Sequence, residues 1–243
     1  MRDTIILITS ALAPVLGGCA SGTWNGNVQT WGTLRGVLHD GDTSGKVRLE
    51  DVAGPHGVGI GAPEGLAGEI VVLDGKTWVT RADGRGGTQT QHPAPPNATA
   101  AFLAIATVPR WVDQRTDNRR SLSELEQAVR DAATTIGLNP ASPFPFLVEG
   151  RFSTLEMHVL NGQCPFTQSK GNDDPTHDPI RTRTDDVKGV LVGFYSDGPP
   201  GTLTHAGTRV HIHALVQGER QVVGHVDAVT VEPGAEIRLP AFR

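Results

Sequence analysis

Cysteine is nearly absent from the 243 residues, only Cys19 and Cys164 occurring. Two such residues exclude a disulfide framework, so stability has to come from burial of apolar side chains. Basic clusters are missing as well. The 21 Lys and Arg are outnumbered by 26 Asp and Glu, for a formal charge of −5. No basic or aromatic-basic run stands ready to neutralise phosphates, which excludes nucleic acid as a partner. No apolar run reaches the roughly 20 residues that a membrane-spanning helix needs. A P-loop, a dinucleotide fingerprint, a Ser-His-Asp framework and a fixed-period repeat are all lacking. The glycine-rich "GVGIGAPEG" (57–65) precedes a strand rather than a helix, so it is no phosphate cradle.

Glycine and proline, by contrast, are plentiful at 30 and 17 residues, which favours many short strands and turns. With 37% hydrophobic and 19% charged residues the composition is that of an ordinary soluble protein. The first eighteen residues read as a secretory signal, apolar from Ile5 to Leu16. Leu16-Gly17-Gly18-Cys19 resembles the bacterial lipobox, in which the cysteine becomes the lipidated first residue. The expectation is a signal over 1–18, a lipid anchor at Cys19 and a polar tether over 19–29. The globular part then spans 30–243, in the cell envelope and membrane-attached by lipid only. A misplaced start codon would instead leave a cytoplasmic protein.

Leu34, Val37 and Leu38 sit at helical spacing. "GEIVVLDGKTWVTRADG" (68–84) reads as a hairpin turning at Asp74-Gly75. "TQTQHPAPPNATA" (88–100) reads as a loop, and "AFLAIATV" (101–108) as a buried strand. The strongest helix runs over 121–137. Ser121 and Glu124 form its capping box, Gly137 its stop, and Leu122, Leu125, Val129, Ala132 and Ile136 its buried stripe. A strand-rich segment covers Phe144–Leu160, and the polar stretch 167–186 reads as a loop. Strands are expected at Gly189–Tyr195, Thr208–Val216, Val222–Val231 and Glu236–Leu239. The class is α+β, in two helix-plus-multistrand halves (about 30–140 and 141–243) with mostly antiparallel or mixed sheets.

"RVHIHALVQGERQVVGHVDAV" (209–229) raises the chemical question. Residues i and i+2 of a strand share a face, so His211 and His213 project together while Ile212 faces the core. The chain then turns back and brings His225 alongside. A two-residue turn at Gly218-Glu219 sets His225 opposite Ile212, on the wrong face. A three- or five-residue loop centred on Glu219 sets it opposite His213, on the right one. Three neutral imidazoles with a fourth position open make the pattern of a catalytic zinc site. Equally, such rings can line a solvated face of an ordinary hairpin. His39, His56, His92, His177 and His205 lie in loop-like contexts and read as solvated. Cys164 reads as a small buried hydrophobe.

Four stretches together resemble the acetolactate decarboxylase family, zinc enzymes that convert 2-acetolactate to acetoin and carbon dioxide. They are "TWGTLRGVLHDGD", "GVGIGAPEGLAGEIVVLDGKTWVTRADG", "GVLVGFYSD" and the histidine hairpin, spread from about Thr30 to Pro240. The resemblance implies zinc on the hairpin of the second half, with His211, His213 and His225 as ligands. It also implies Glu69 in the active site, as the group that protonates carbon. Its implied partner is a small hydroxy-keto acid, and a second copy of the chain is a further candidate partner. Three departures stand out. Ala62 stands where the family usually has threonine. His158, in "EMHVLNG", stands where it has an arginine whose bidentate fork is hard to replace. The family's glutamate beyond "LP" has no counterpart before Arg243. Three functions follow: acetolactate decarboxylation with His158 in the arginine's part, zinc chemistry on another hydroxy-keto or hydrolysable substrate, or metal binding by a lipoprotein without turnover.

Overall fold

The structure is a computed structural model and describes residues 22–38, 40–163, 177–218 and 221–242. The leader, Cys19, His39 and Cys164 lie outside the described residues. The first part of the chain forms β1 (Gln29–Trp31), α1 (Leu34–Leu38), β2 (Val47–Arg48), α2 (Leu49–Val52) and β3 (Gly57–Pro63). It continues with β4 (Glu69–Leu73), β5 (Lys76–Ala82), β6 (Thr88–Gln91) and β7 (Thr99–Thr107). Then follow β8 (Trp111–Arg115), β9 (Arg120–Ser121), α3 (Leu122–Thr135) and β10 (Phe144–Val159). The last elements are β11 (Ile180–Tyr195), β12 (Val210–Val216), β13 (Val222–Val231) and β14 (Glu236–Pro240).

Two seven-stranded sheets result. The first has the order β1-β7-β3-β4-β5-β6 with β2 added on β7, and the second the order β8-β14-β10-β11-β12-β13-β9. All strand pairs among the described residues are antiparallel. The change of sheet falls between Thr107 and Trp111, well before residue 140, so α3 belongs with the second sheet although it lies early in the chain. Helix is unevenly shared: α1 and α2 have five and four residues, α3 fourteen. Ser121 and Glu124 make the expected capping box, Gly137 follows the helix with φ +82°, and Leu125, Val129 and Ala132 are buried.

Alternation along the strands decides where the cores form. Ile70 and Val72 of β4 join a small cluster with Leu49, Val79 and Leu103 on one face of the first sheet. Val71 faces the other way, into a large cluster that contains Phe146, Leu191 and Val192 of the second sheet. Glu69 shares the parity of Val71, so its carboxyl is directed between the sheets. The turn after β4 has Asp74 at φ +51° and Gly75 at φ +75°, the pair of left-handed residues that a type I′ hairpin requires. The glycines of "GVGIG" are themselves in β3. At Gly61 a Cβ would stand 2.1 Å from the Phe102 carbonyl oxygen, so only glycine lets β3 and β7 approach there.

Two segments expected as loops are strands. Thr88–Gln91 pairs with β5, and its Thr90 hydroxyl meets that of Thr80 at 2.7 Å. Its burial alternates between half-buried and exposed, as on a sheet edge, and polar T-Q-T-Q conceals a period of two. β11 likewise begins at Ile180 rather than Gly189. Its first residues, Ile180–Thr184, alternate between half-buried and exposed and pair with Leu155–Val159 of β10.

β10 serves two neighbours along one edge, β14 at Leu147–Glu149 and β13 at Phe152–His158, while β11 covers its other edge. With the β11–β12 and β12–β13 pairs, strands β10 to β13 close on themselves. This ring carries the histidines.

Candidate active site

Register assembles the site. Val216 pairs with Val222, and that register sets His213 opposite His225. On the far edge of β13, His225 pairs with His158 of β10, and His158 in turn pairs with Arg181 of β11. A row of imidazoles therefore crosses β12, β13 and β10, with His211 two residues along β12 on the same face.

Glu69, His158, His211, His213 and His225 all line one cavity of about 40 Å³, room for roughly three waters by volume. Its apolar wall includes Leu34, Val37, Leu66 and Phe102, and Ala62 stands in it as well. His205 also lines it, contrary to its reading as a solvated histidine. The loop between β11 and β12 folds back under α1 and carries that ring inward: the Leu34 N–H bonds Thr202 O at 3.2 Å and the Arg35 N–H bonds Gly201 O at 2.6 Å. Local sequence holds no sign of this fold-back. His56 and His92 lie elsewhere, His56 3.6 Å from Asp74 and His92 stacked on Trp78.

Hydrogen bonds assign the tautomers. His213 Nδ1 lies 3.0 Å from Ile70 O and His211 Nδ1 3.0 Å from Leu203 O. A carbonyl can only accept, so both Nδ1 atoms carry the proton and both Nε2 atoms present lone pairs. Those two Nε2 atoms face each other at 3.3 Å. Two lone pairs so close repel unless a proton or a cation stands between them. For tetrahedral zinc with Zn–N near 2.0–2.1 Å, ligand nitrogens lie about 3.3–3.4 Å apart, so this pair fits such an ion. A backbone carbonyl on the second ring nitrogen is the usual support of a metal-bound histidine. Ligand atoms of His205, His211 and His225 lie within 4.8 Å of one another, so these three can hold a metal ion.

Burial keeps the rings neutral. It lowers His211 and His225 well below the usual imidazole value, and the neighbouring imidazoles push them further down. His213 falls to about 3 and His205 to about 4, again mainly through burial. Glu69 moves the opposite way. Its carboxyl is 2% exposed, and burial pushes it well above the ordinary carboxylate range, with the Leu160 N–H at 3.3 Å pulling partly back and Asp227 adding to the rise. Its Oε2 lies 3.5 Å from His213 Nε2, so a carboxyl that burial biases toward its neutral form faces the imidazole cluster.

One further group escaped the sequence reading. Asp227 accepts from His158 Nδ1 at 2.8 Å through Oδ1 and from Arg181 Nη1 at 2.9 Å through Oδ2. It follows His225 by two residues in the same strand, and that i, i+2 spacing could have marked it.

The profile of the alpha-acetolactate decarboxylase family matches residues 32–241. Comparison with curated protein sequences finds no match. The fold is similar to that of acetolactate decarboxylase from Bacillus subtilis subspecies spizizenii, with a TM-score of 0.68 and 18% identity over 88% of this chain and 86% of that one. Alpha-acetolactate decarboxylase from Bacillus subtilis strain 168 gives 0.65 and 16%, over 88% and 86%. A Staphylococcus aureus protein of unknown function, described as similar to alpha-acetolactate decarboxylase, gives 0.63 and 17%, over 88% and 85%. At such identities structural likeness speaks for the fold, and the assignment rests on the profile, which spans most of the sequence. This chain belongs to the alpha-acetolactate decarboxylase family of carbon–carbon lyases.

Proposed function

We propose that the protein decarboxylates 2-acetolactate to acetoin and carbon dioxide with a zinc ion held by His211, His213 and His225. The observation that carries this reading is the pair of Nε2 lone pairs facing at 3.3 Å beside the buried carboxyl of Glu69. Zinc, when bound, supplies a Lewis acid for the hydroxyl and ketone oxygens of the substrate.

The chain's own residues do the rest. His158 takes the arginine's part: protonated at both ring nitrogens, it donates through Nδ1 to Asp227 and through Nε2 to the substrate carboxylate. Arg181 neutralises the other oxygen of Asp227, so the aspartate does not repel that carboxylate. In the reaction the carbon–carbon bond to the carboxylate breaks and carbon dioxide leaves. The electron pair stays on the hydroxy-ketone skeleton, and Glu69 transfers its proton to carbon. The carboxylate of Glu69 then recovers a proton from solvent. Leu34, Val37, Leu66 and Phe102 keep water sparse around the acid, which limits competing donors.

A second reading, the same chemistry on a different hydroxy-keto acid, draws support from the His158–Asp227 pair and from Ala62 in the wall, which alter the carboxylate side of the cavity. Acetoin formation from racemic 2-acetolactate by the zinc-loaded full-length chain, with His213→Ala as control, separates the two. Turnover lost on substitution supports the first reading. No turnover by folded, zinc-replete protein rejects it and turns the search to other hydroxy-keto acids.

A further inference from the structure

We infer that His205 is a fourth imidazole ligand of the metal centre, an inference that rests on the proposed reading of the cluster as a metal site. The hairpin supplies His211, His213 and His225 from strands, whereas His205 comes from the loop between β11 and β12. Its ring centroid is 5.4 Å from that of His211 and 5.3 Å from that of His225. His213 is separated from the same two rings by 5.1 and 5.5 Å. By spacing His205 is as much a member of the cluster as His213. Its ligand atom lies within 4.8 Å of those of His211 and His225.

The loop is built to hold the ring there. Leu203 and Thr204 are 3% and 2% exposed, so the segment just before His205 is buried. The carbonyl of Leu203 accepts from His211 Nδ1 at 3.0 Å, and that of Thr204 accepts from the Gly201 N–H at 2.8 Å. One bond thus does two things: it sets the tautomer of His211 and ties the loop that carries His205 to the strand that carries His211. A solvated histidine needs none of this. Three strand-borne imidazoles leave a zinc ion with positions to spare, and His205 stands beside the cluster to take one, the substrate oxygens then raising the coordination number beyond four. The family resemblance puts no ligand at this position.

X-ray absorption on the zinc-loaded full-length chain counts imidazoles directly, and cobalt(II) in place of zinc reports the ligand set through its visible spectrum. Expected are four imidazoles in the wild type. In His205→Ala and His205→Gln, the cobalt spectrum changes and affinity weakens by more than the roughly 10–100-fold that loss of a supporting group brings. Three imidazoles in the wild type, or variants with unchanged spectrum and affinity, overturn the assignment while leaving the metal reading intact. A wild type that takes up neither zinc nor cobalt rejects the metal reading itself, and the role of His205 with it. Should neither variant fold, the imidazole count in the wild type decides.

Discussion

Glu69→Gln removes one transferable proton and little else. The carboxyl is 2% exposed and burial favours its neutral form, so the amide replaces an acid of nearly the same size and shape. The amide oxygen can keep the Leu160 N–H bond now made at 3.3 Å, and His213 keeps its Nδ1 bond to Ile70 O. Fold and zinc content should therefore be unchanged. Loss of a positioned general acid slows a reaction by about 10²–10⁴-fold, equivalent to about 2.7–5.5 kcal/mol of transition-state stabilisation. The expected result is a fall in kcat of that size with KM near its original value, read as acetoin formed from 2-acetolactate at saturating substrate. A variant within about threefold of the wild type would refute the assignment of Glu69 as proton donor. It would point instead to water or one of the imidazoles.

Three further outcomes follow from the same geometry. Removing the hydrogen-bonding ring in His158→Ala should raise KM for acetolactate by about 10–100-fold, the value of a charged hydrogen bond of about 1.5–3 kcal/mol, with zinc retained. Loss of zinc instead would make His158 a ligand. In the metal-free protein His205, His211, His213 and His225 have folded-state values depressed below 6.5, to about 4 for His205 and about 3 for His213. The unfolded chain therefore takes up protons first. Stability present above pH 6.5 is lost as pH falls toward 4 and below, by up to about 1.4 kcal/mol per pH unit for each histidine. Urea melts across that range should move accordingly, and a midpoint independent of pH would contradict the neutral cluster. Gly75→Ala introduces a Cβ 2.6 Å from the Gly54 carbonyl oxygen at a φ of +75°, and should cost at least about 1–2 kcal/mol in urea unfolding.

Much of this was legible in the sequence, for reasons that can be named. Where apolar and polar residues alternate sharply, as in "GEIVVLDGKTWVTRADG", strand, turn type and inward face follow from period two and the Asp-Gly dipeptide. The spacing of His211, His213 and His225 even posed a register question with one acceptable answer, and the pairing of His213 with His225 gives it. Edge and extension strands were not legible. Thr88–Gln91 and Arg181–Thr184 are runs of polar residues, and burial distinguishes their two faces only once neighbours are present. The same limit hid His205. Its position depends on bonds from Leu34 and Arg35, more than 160 residues earlier, to the loop that bears it. Asp227 was nearer to reach, since "HVD" sets it on the face of His225. Its role emerged only from the β10–β13 register that brings His158 beside it.

The most direct test of the account is a titration of decarboxylase activity with zinc. The full-length chain is stripped with a chelator, and acetoin and carbon dioxide are measured together as zinc is returned. The account predicts no activity in the stripped protein and a linear rise that ends at a single ion per chain, with the two products formed in equal amounts. Full activity in the stripped protein, or none at any zinc level from a folded chain, would contradict it.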